Sequence, residues 1–190
     1  MVADPDTVRG RLLAAGARPG FAGLMLDRRY DRGGELVARD EVLRLRSFRD
    51  SEGNESARLG WKGPTGISPE GYKTRRELEY EIRGAHASPA ALLAVLGMEE
   101  TFRIDRYVEH YHLGDTVARL EWYPRMDVLI EVEGDAAGIE SALRVIGIPR
   151  AEFTAEALPA FAARYAARTG RPPVLALDPA SGERPSWESR

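Results

Sequence analysis

Residues 41–48 read EVLRLRSF, and the order of their side chains decides the fold class. Extended as a strand, the stretch turns Leu43 and Leu45 to one face and Arg44 and Arg46 to the other, with the two guanidinium groups roughly 7 Å apart along the chain. A single strand of this kind is explained by a solvated face on a half-buried sheet. The same alternation recurs, however, in SARLGWKGP (56–64), KTRRELEYEI (73–82), TFRIDRYVEHYHLG (101–114), TVARLEWY (116–123) and DVLIEVEG (127–134). Charges fall at even spacing throughout, so on one strand face: Arg58 and Lys62; Arg75, Glu77, Glu79 and Glu81; Arg119 and Glu121; Glu131 and Glu133. The positions between them are apolar in most segments, with Leu59 and Trp61, Leu78, Tyr80 and Ile82, Ala118, Leu120 and Trp122, and Ile130 and Val132. Such strands build a sheet with one oily face and one ionic face.

Four helices are expected between and around the strands. Residues 3–20 carry Asp4 as N-cap, Pro5 at the first helical position, Val8, Leu12 and Leu13 on one face, and Gly16 or Gly20 as a stop. Residues 87–97 open at Ser88 and Pro89 and close at Gly97, and residues 135–147 close at Gly147. The fourth, residues 154–170, contains Pro159, which predicts a break or a fresh start there. DSEGN at 50–54 is a hairpin turn signal. The order of helix, strands, helix, strands and helices predicts an α+β chain built on an antiparallel meander.

Composition bounds the rest. With 190 residues, 43% hydrophobic and 30% charged, the chain suits one globular domain, read as residues 1–170, with a Pro- and Ser-rich mobile tail at 171–190. The absence of cysteine excludes disulfides, thiolate metal sites and thiol nucleophiles. A net charge of −3 argues against a nucleic-acid binder with a basic surface. No apolar run suits a signal peptide or a membrane span, so the expected location is cytoplasmic, with no membrane and no nucleic acid among the partners.

Two geometries remain open for the ionic face. An open sheet leaves it to water, whereas a sheet curled into a barrel encloses it. Enclosed arginines need a polyanion or acidic partners, because desolvated like charges repel strongly. Arginine forks and a lysine suit phosphate oxygens, and clustered carboxylates suit a hard cation such as Mg²⁺ or Mn²⁺.

The stretches LDRRYD (26–31), LRLR (43–46), WKGP (61–64), RRELEYEI (75–82), FRIDRY (102–107) and IEVEG (130–134) come in the order and separation of the CYTH superfamily, the triphosphate tunnel metalloenzymes, which the chain resembles between about Asp4 and Gly170. The resemblance implies an antiparallel, eight-stranded barrel with helices packed outside and the ionic face lining a tunnel. It implies that Arg44 and Arg46 are the paired phosphate-binding arginines, Lys62 the K-G-P lysine, and Arg103 and Arg106 the basic pair of a later strand. Arg58 and Arg119 join this phosphate-binding set. Glu131 and Glu133 match the acidic pair that binds Mg²⁺ or Mn²⁺, with Glu121 where the family usually has aspartate. Arg75, Glu77 and Glu79 match a strand whose role is positioning and charge balance, and Arg75 is counted with the phosphate-binding set.

The implied activity is metal-dependent hydrolysis of a triphosphate: inorganic tripolyphosphate, thiamine triphosphate or a nucleoside triphosphate. Cyclisation of ATP to cyclic AMP, as in class IV adenylyl cyclases, is the alternative within the class, and polyphosphate binding without catalysis is the alternative outside it. The family's N-terminal E-x-E-x-K strand is not found ahead of the first helix. Two readings stay open: a start further upstream, or a barrel that lacks its first strand and half its metal site. In the second case an exposed strand edge would invite either another chain, as in a homodimer, or an altered N-terminal path. No residue is assigned as catalytic. His86, His110 and His112 do not make a zinc site, since no third nitrogen ligand is evident. Trp61, Trp122 and Tyr80 are expected as core beneath the helices rather than as a base-stacking platform.

Overall fold

The computed structural model describes residues 1–82, 88–178, 185 and 187, so His86 and part of the C-terminal stretch lie outside the described residues. The elements are α1 (Pro5–Ala14), β1 (Arg18–Asp31), β2 (Val42–Asp50), β3 (Glu55–Lys62), β4 (Gly66–Ile67), β5 (Lys73–Thr74), β6 (Glu77–Ile82), α2 (Pro89–Val95), β7 (Glu99–Leu113), β8 (Thr116–Trp122), β9 (Leu129–Glu133), α3 (Ala136–Ile146) and α4 (Leu158–Thr169). The strand order is β6-β3-β2-β1-β7-β8-β9, with β4 and β5 forming a separate two-stranded ribbon. The pairings β2–β3, β3–β6, β7–β8 and β8–β9 are antiparallel. This is the α+β, antiparallel architecture expected; among the described residues the main sheet has seven strands, where the resemblance implied eight.

The chain divides into two compact units: residues 1–23 with 106–190, and residues 24–105. In the first unit, α1 starts where Asp4 accepts a hydrogen bond from the Thr7 amide at 3.0 Å, with Pro5 filling a position that needs no amide donor. Its Val8 and Leu12 join Tyr111, Ala118, Leu120, Trp122, Leu143 and Ile146 in a core between the helices and the apolar face of β7 and β8. Leu13, expected on the same face, is exposed, because it stands next to Leu12 and so about 100° around the helix. Asp135 caps α3 by accepting from the Gly138 amide at 2.7 Å. The Arg11 guanidinium donates to the Ile146 carbonyl at 2.9 Å, binding a cation to the negative end of α3. Pro159 lies in the first turn of α4, so the helix starts afresh there as expected. Among the described residues of the stretch read as a mobile tail, Val174 exchanges backbone hydrogen bonds of 3.1 and 2.9 Å with Arg125, and Trp187 packs against the core.

In the second unit, Tyr30, Leu45 and Leu93 form a smaller core with Leu43, Leu59 and Ile82 around it, so α2 covers the apolar face of β2 and β3. The coverage runs out at β6. Tyr80 is 68% exposed and Leu78 is also exposed, which corrects the placement of Tyr80 beneath a helix. The reason is length: α2 has 7 residues, about 10 Å of helix, and its own Leu92 and Val95 face water. Among the described residues no helix is long and apolar enough to cross a membrane, which says nothing of a β-barrel.

Candidate functional site

Each unit carries an ionic face opposite its helix-covered face. In residues 24–105 the register puts Arg46 opposite Arg58 across β2 and β3, two like charges side by side. Glu79 on β6 resolves that conflict: one carboxylate oxygen meets the Arg46 guanidinium and the other accepts from Arg58 Nη1 at 3.2 Å. The Phe48 ring lies 5.8 Å from the Arg46 guanidinium carbon and 5.4 Å from that of Arg58, a cation–π platform under both. Lys62, opposite Glu77 in the register, pairs with it at 2.5 Å. Arg44 reaches Asp27 of β1 at 3.5 Å, and Asp27 is 1% exposed. Arg28 pairs at 2.5 Å with Asp105, another buried carboxylate.

In residues 106–190 the ionic face is built by Arg106 of β7, Arg119 and Glu121 of β8, and Glu131 and Glu133 of β9. Arg119 is directly opposite Glu131, meets its carboxylate, and lies 3.6 Å from Glu133. Its Nε donates to Glu121 Oε1 at 2.8 Å, and Arg106 Nε lies 3.4 Å from the same oxygen. Both arginine side chains are buried. Burial alone would lower the Arg119 pKa, but Glu131, Glu121 and Glu133 outweigh it and hold the guanidinium well above its ordinary value. Tyr123, just beyond β8, donates its hydroxyl to Glu121 Oε2 at 2.5 Å. Burial first, and then the Glu121 charge, push that phenol well above its ordinary value.

Two members of the expected phosphate-binding set stand apart. Arg75 falls between β5 and β6 rather than within one strand; it donates to Thr65 Oγ1 at 2.9 Å and to the Asp40 carbonyl at 3.1 Å, and it meets the Asp40 carboxylate. Asp40 is left-handed at φ 53°, and the Thr65 amide foremost, with Arg75, holds its carboxyl down at about 2. Arg75 therefore fastens the β4–β5 ribbon to Asp40. Arg103 is 64% exposed and pairs with Glu100 three residues earlier on β7. Its separation from Arg106 is odd, and an extended strand does not put such positions on one face.

Among the metal candidates, Glu121 has both oxygens occupied by Arg119, Arg106 and Tyr123. Glu131 and Glu133 are half exposed and lean on Arg119. Among the described residues no three metal-ligating side chains converge. The donor set fits Mg²⁺ or Mn²⁺ only through Glu131 and Glu133, with water or phosphate oxygens supplying the other positions. His110 lies edge-on to Phe21 at 5.9 Å, and His112 closes over Gly20, where a Cβ would stand 2.6 Å from its Nε2. Asp27, Asp105 and Tyr123 were not among the site residues expected from the strand pattern. Asp27 did leave a signal: it ends the apolar run 21–26 and stands in the LDRRYD stretch that carries the resemblance.

No family model and no curated protein matches the sequence. Solved structures do. A protein from Pyrococcus horikoshii OT3 is 21% identical, with a TM-score of 0.63 over 87% of this chain and 94% of that one. A candidate adenylate cyclase from Vibrio parahaemolyticus is 15% identical, with a TM-score of 0.66 over 84% and 92%. HpAC1 from Hippeastrum, a candidate adenylyl cyclase with a dominant triphosphatase activity, is 17% identical, with a TM-score of 0.57 over 94% of both chains. At these identities the likeness shows a shared backbone fold alone, in keeping with the architecture that the motif resemblance implied.

Proposed function

We propose that this protein binds a triphosphate-containing molecule and hydrolyses it with Mg²⁺ or Mn²⁺. The observation that carries the reading is the set of buried arginines, Arg46, Arg106 and Arg119, with the half-buried Arg44, each held beside a carboxylate on the ionic face of its own unit. Buried guanidinium groups in this number suit a ligand with many anionic oxygens, which accept from both prongs of the fork. The triphosphatase activity of HpAC1 supports the same chemistry on the same fold. Inorganic tripolyphosphate, thiamine triphosphate and nucleoside triphosphates share the recognised group.

The residues would act by position and charge. In residues 24–105, Arg44, Arg46, Arg58 and Lys62 would bind phosphate oxygens in exchange for Asp27, Glu79 and Glu77; in residues 106–190, Arg106 and Arg119 would offer guanidinium forks to anionic oxygens. Glu131 and Glu133 would hold a divalent cation, which would supply Lewis-acid polarisation of a phosphoryl oxygen. Polyphosphate binding without turnover is the second reading, favoured by the engagement of both Glu121 oxygens, which leaves two carboxylates for the metal.

The test is calorimetry with tripolyphosphate, with and without Mg²⁺, beside product analysis on tripolyphosphate, thiamine triphosphate and ATP. Release of inorganic phosphate supports hydrolysis, and cyclic AMP from ATP would replace it with cyclisation. Binding without product supports the second reading. Absence of both binding and turnover removes the triphosphate assignment. Arg46→Ala should weaken tripolyphosphate binding roughly thirtyfold, the loss of one charge-assisted contact of about 2 kcal/mol.

A further inference from the structure

The buried ionic face of residues 106–190 contains one group that neither the charge pattern nor the family motifs assign. Tyr123 is 1% exposed, and its hydroxyl points at Glu121 Oε2. Its ring also faces a cation, with the Arg106 guanidinium carbon 5.9 Å from the centroid. The other Glu121 oxygen accepts from Arg119 Nε at 2.8 Å and forms an ion pair with Arg106, whose Nε lies 3.4 Å away. Glu121 therefore sits at the junction of two guanidinium groups and a phenol, all of them buried.

We propose that Tyr123 and Glu121 form a clamp that fixes the orientation of Arg106 and Arg119, so that Glu121 is a positioning residue and not a metal ligand. The physical reason lies in the freedom of a carboxylate held on one side only. With Oε1 alone engaged, Glu121 can rotate about its terminal bond, and both guanidinium groups follow it. The Tyr123 hydroxyl engages Oε2 and removes that rotation. A phenol suits this role because it is neutral, so it fixes the anion without competing for its charge, and its rigid ring packs against Arg106 while it does so. Donation by tyrosine also occupies the oxygen that a metal ion would need, and bringing a cation to Glu121 would set it against two arginines in a low-dielectric environment. Phosphate oxygens would then be met by guanidinium forks already aimed, which saves the cost of ordering them on binding.

The clamp itself stands on geometry; only the consequence for phosphate binding rests on the triphosphate reading. The experiment separates the two. In the full-length protein, nitrogen-15 NMR follows hydrogen exchange at the Nε–H of Arg106 and Arg119, and calorimetry in EDTA follows tripolyphosphate binding without metal. Tyr123→Phe keeps the ring and removes the hydroxyl; Glu121→Gln keeps the shape and removes the charge. The clamp predicts that Tyr123→Phe speeds Nε–H exchange at both arginines at least tenfold and weakens metal-free tripolyphosphate binding severalfold. It also predicts that Glu121→Gln leaves the Mn²⁺ affinity, read by electron paramagnetic resonance, unchanged. Unchanged exchange in Tyr123→Phe overturns the clamp, and so does a large loss of Mn²⁺ affinity in Glu121→Gln. A wild-type protein that binds no tripolyphosphate, yet whose Nε–H exchange responds to Tyr123→Phe, retains the clamp and removes the triphosphate reading instead.

Discussion

Replacing Glu79 by Gln should destabilise the protein and at the same time raise its affinity for polyphosphate. Arg46 and Arg58 are directly opposed, and Glu79 is the carboxylate that touches both. The Arg46 side chain is 9% exposed and that of Glu79 is 33% exposed, so their pair is partly shielded from water. A hydrogen bond to a buried charge contributes about 1.5–3 kcal/mol, and a third of the carboxylate being wet argues for the lower end. The half-exposed Arg58 contact adds under about 1 kcal/mol, and unscreened repulsion between the opposed arginines adds a similar amount. The expected loss is about 2 kcal/mol, or roughly 6 °C in Tm for a chain of this size. A bound polyanion takes over the lost function of the carboxylate and no longer has to displace it, so affinity for tripolyphosphate should rise roughly threefold to tenfold. Urea unfolding at neutral pH reads the first quantity and calorimetry the second. Equal stability would show that Glu79 does not hold the two arginines. Weaker tripolyphosphate binding would show that they are not aimed at a ligand with which Glu79 competes.

Three further outcomes follow from other parts of the structure. Asp40, held down at about 2 from an ordinary 3.8, lends the β4–β5 ribbon an anchor that is complete above pH 3.8 and lost as the pH falls through about 2; exchange at the Thr65 amide should accelerate over that window, and a pH-independent rate would contradict it. Burial first, and then Glu109, push the Tyr111 hydroxyl up to about 12, so its contribution is complete below an ordinary 10 and lost as the pH rises through about 12; ultraviolet titration of Tyr111→Phe should lack one late-ionising phenol. Gly138→Ala should cost about 1–3 kcal/mol in urea unfolding, because a Cβ there would collide with Thr116 Oγ1 under the first turn of α3, and a neutral result would mean that α3 can lift off β8 freely.

The elements and the two-faced strands follow from local sequence pattern alone. A period of two in 43–46, 58–62 and 116–122 leaves an extended chain no choice but to separate leucine from arginine, and Asp4, Pro5, Pro159 and Gly147 act through local backbone chemistry that needs no distant partner. Tertiary structure decided what each charge does, because a strand pattern names a face and not a neighbour. Register made Arg46 and Arg58 rivals and Glu79 their mediator. A break in the strand moved Arg75 from the ionic face to Asp40, and three-residue spacing separated Arg103 from Arg106. The short reach of α2 left Tyr80 in water, although its alternation is as regular as that of Leu45. Tyr123 reads in the sequence as one more aromatic after a strand; only the meeting of its hydroxyl with Glu121, and of its ring with Arg106, gives it a role.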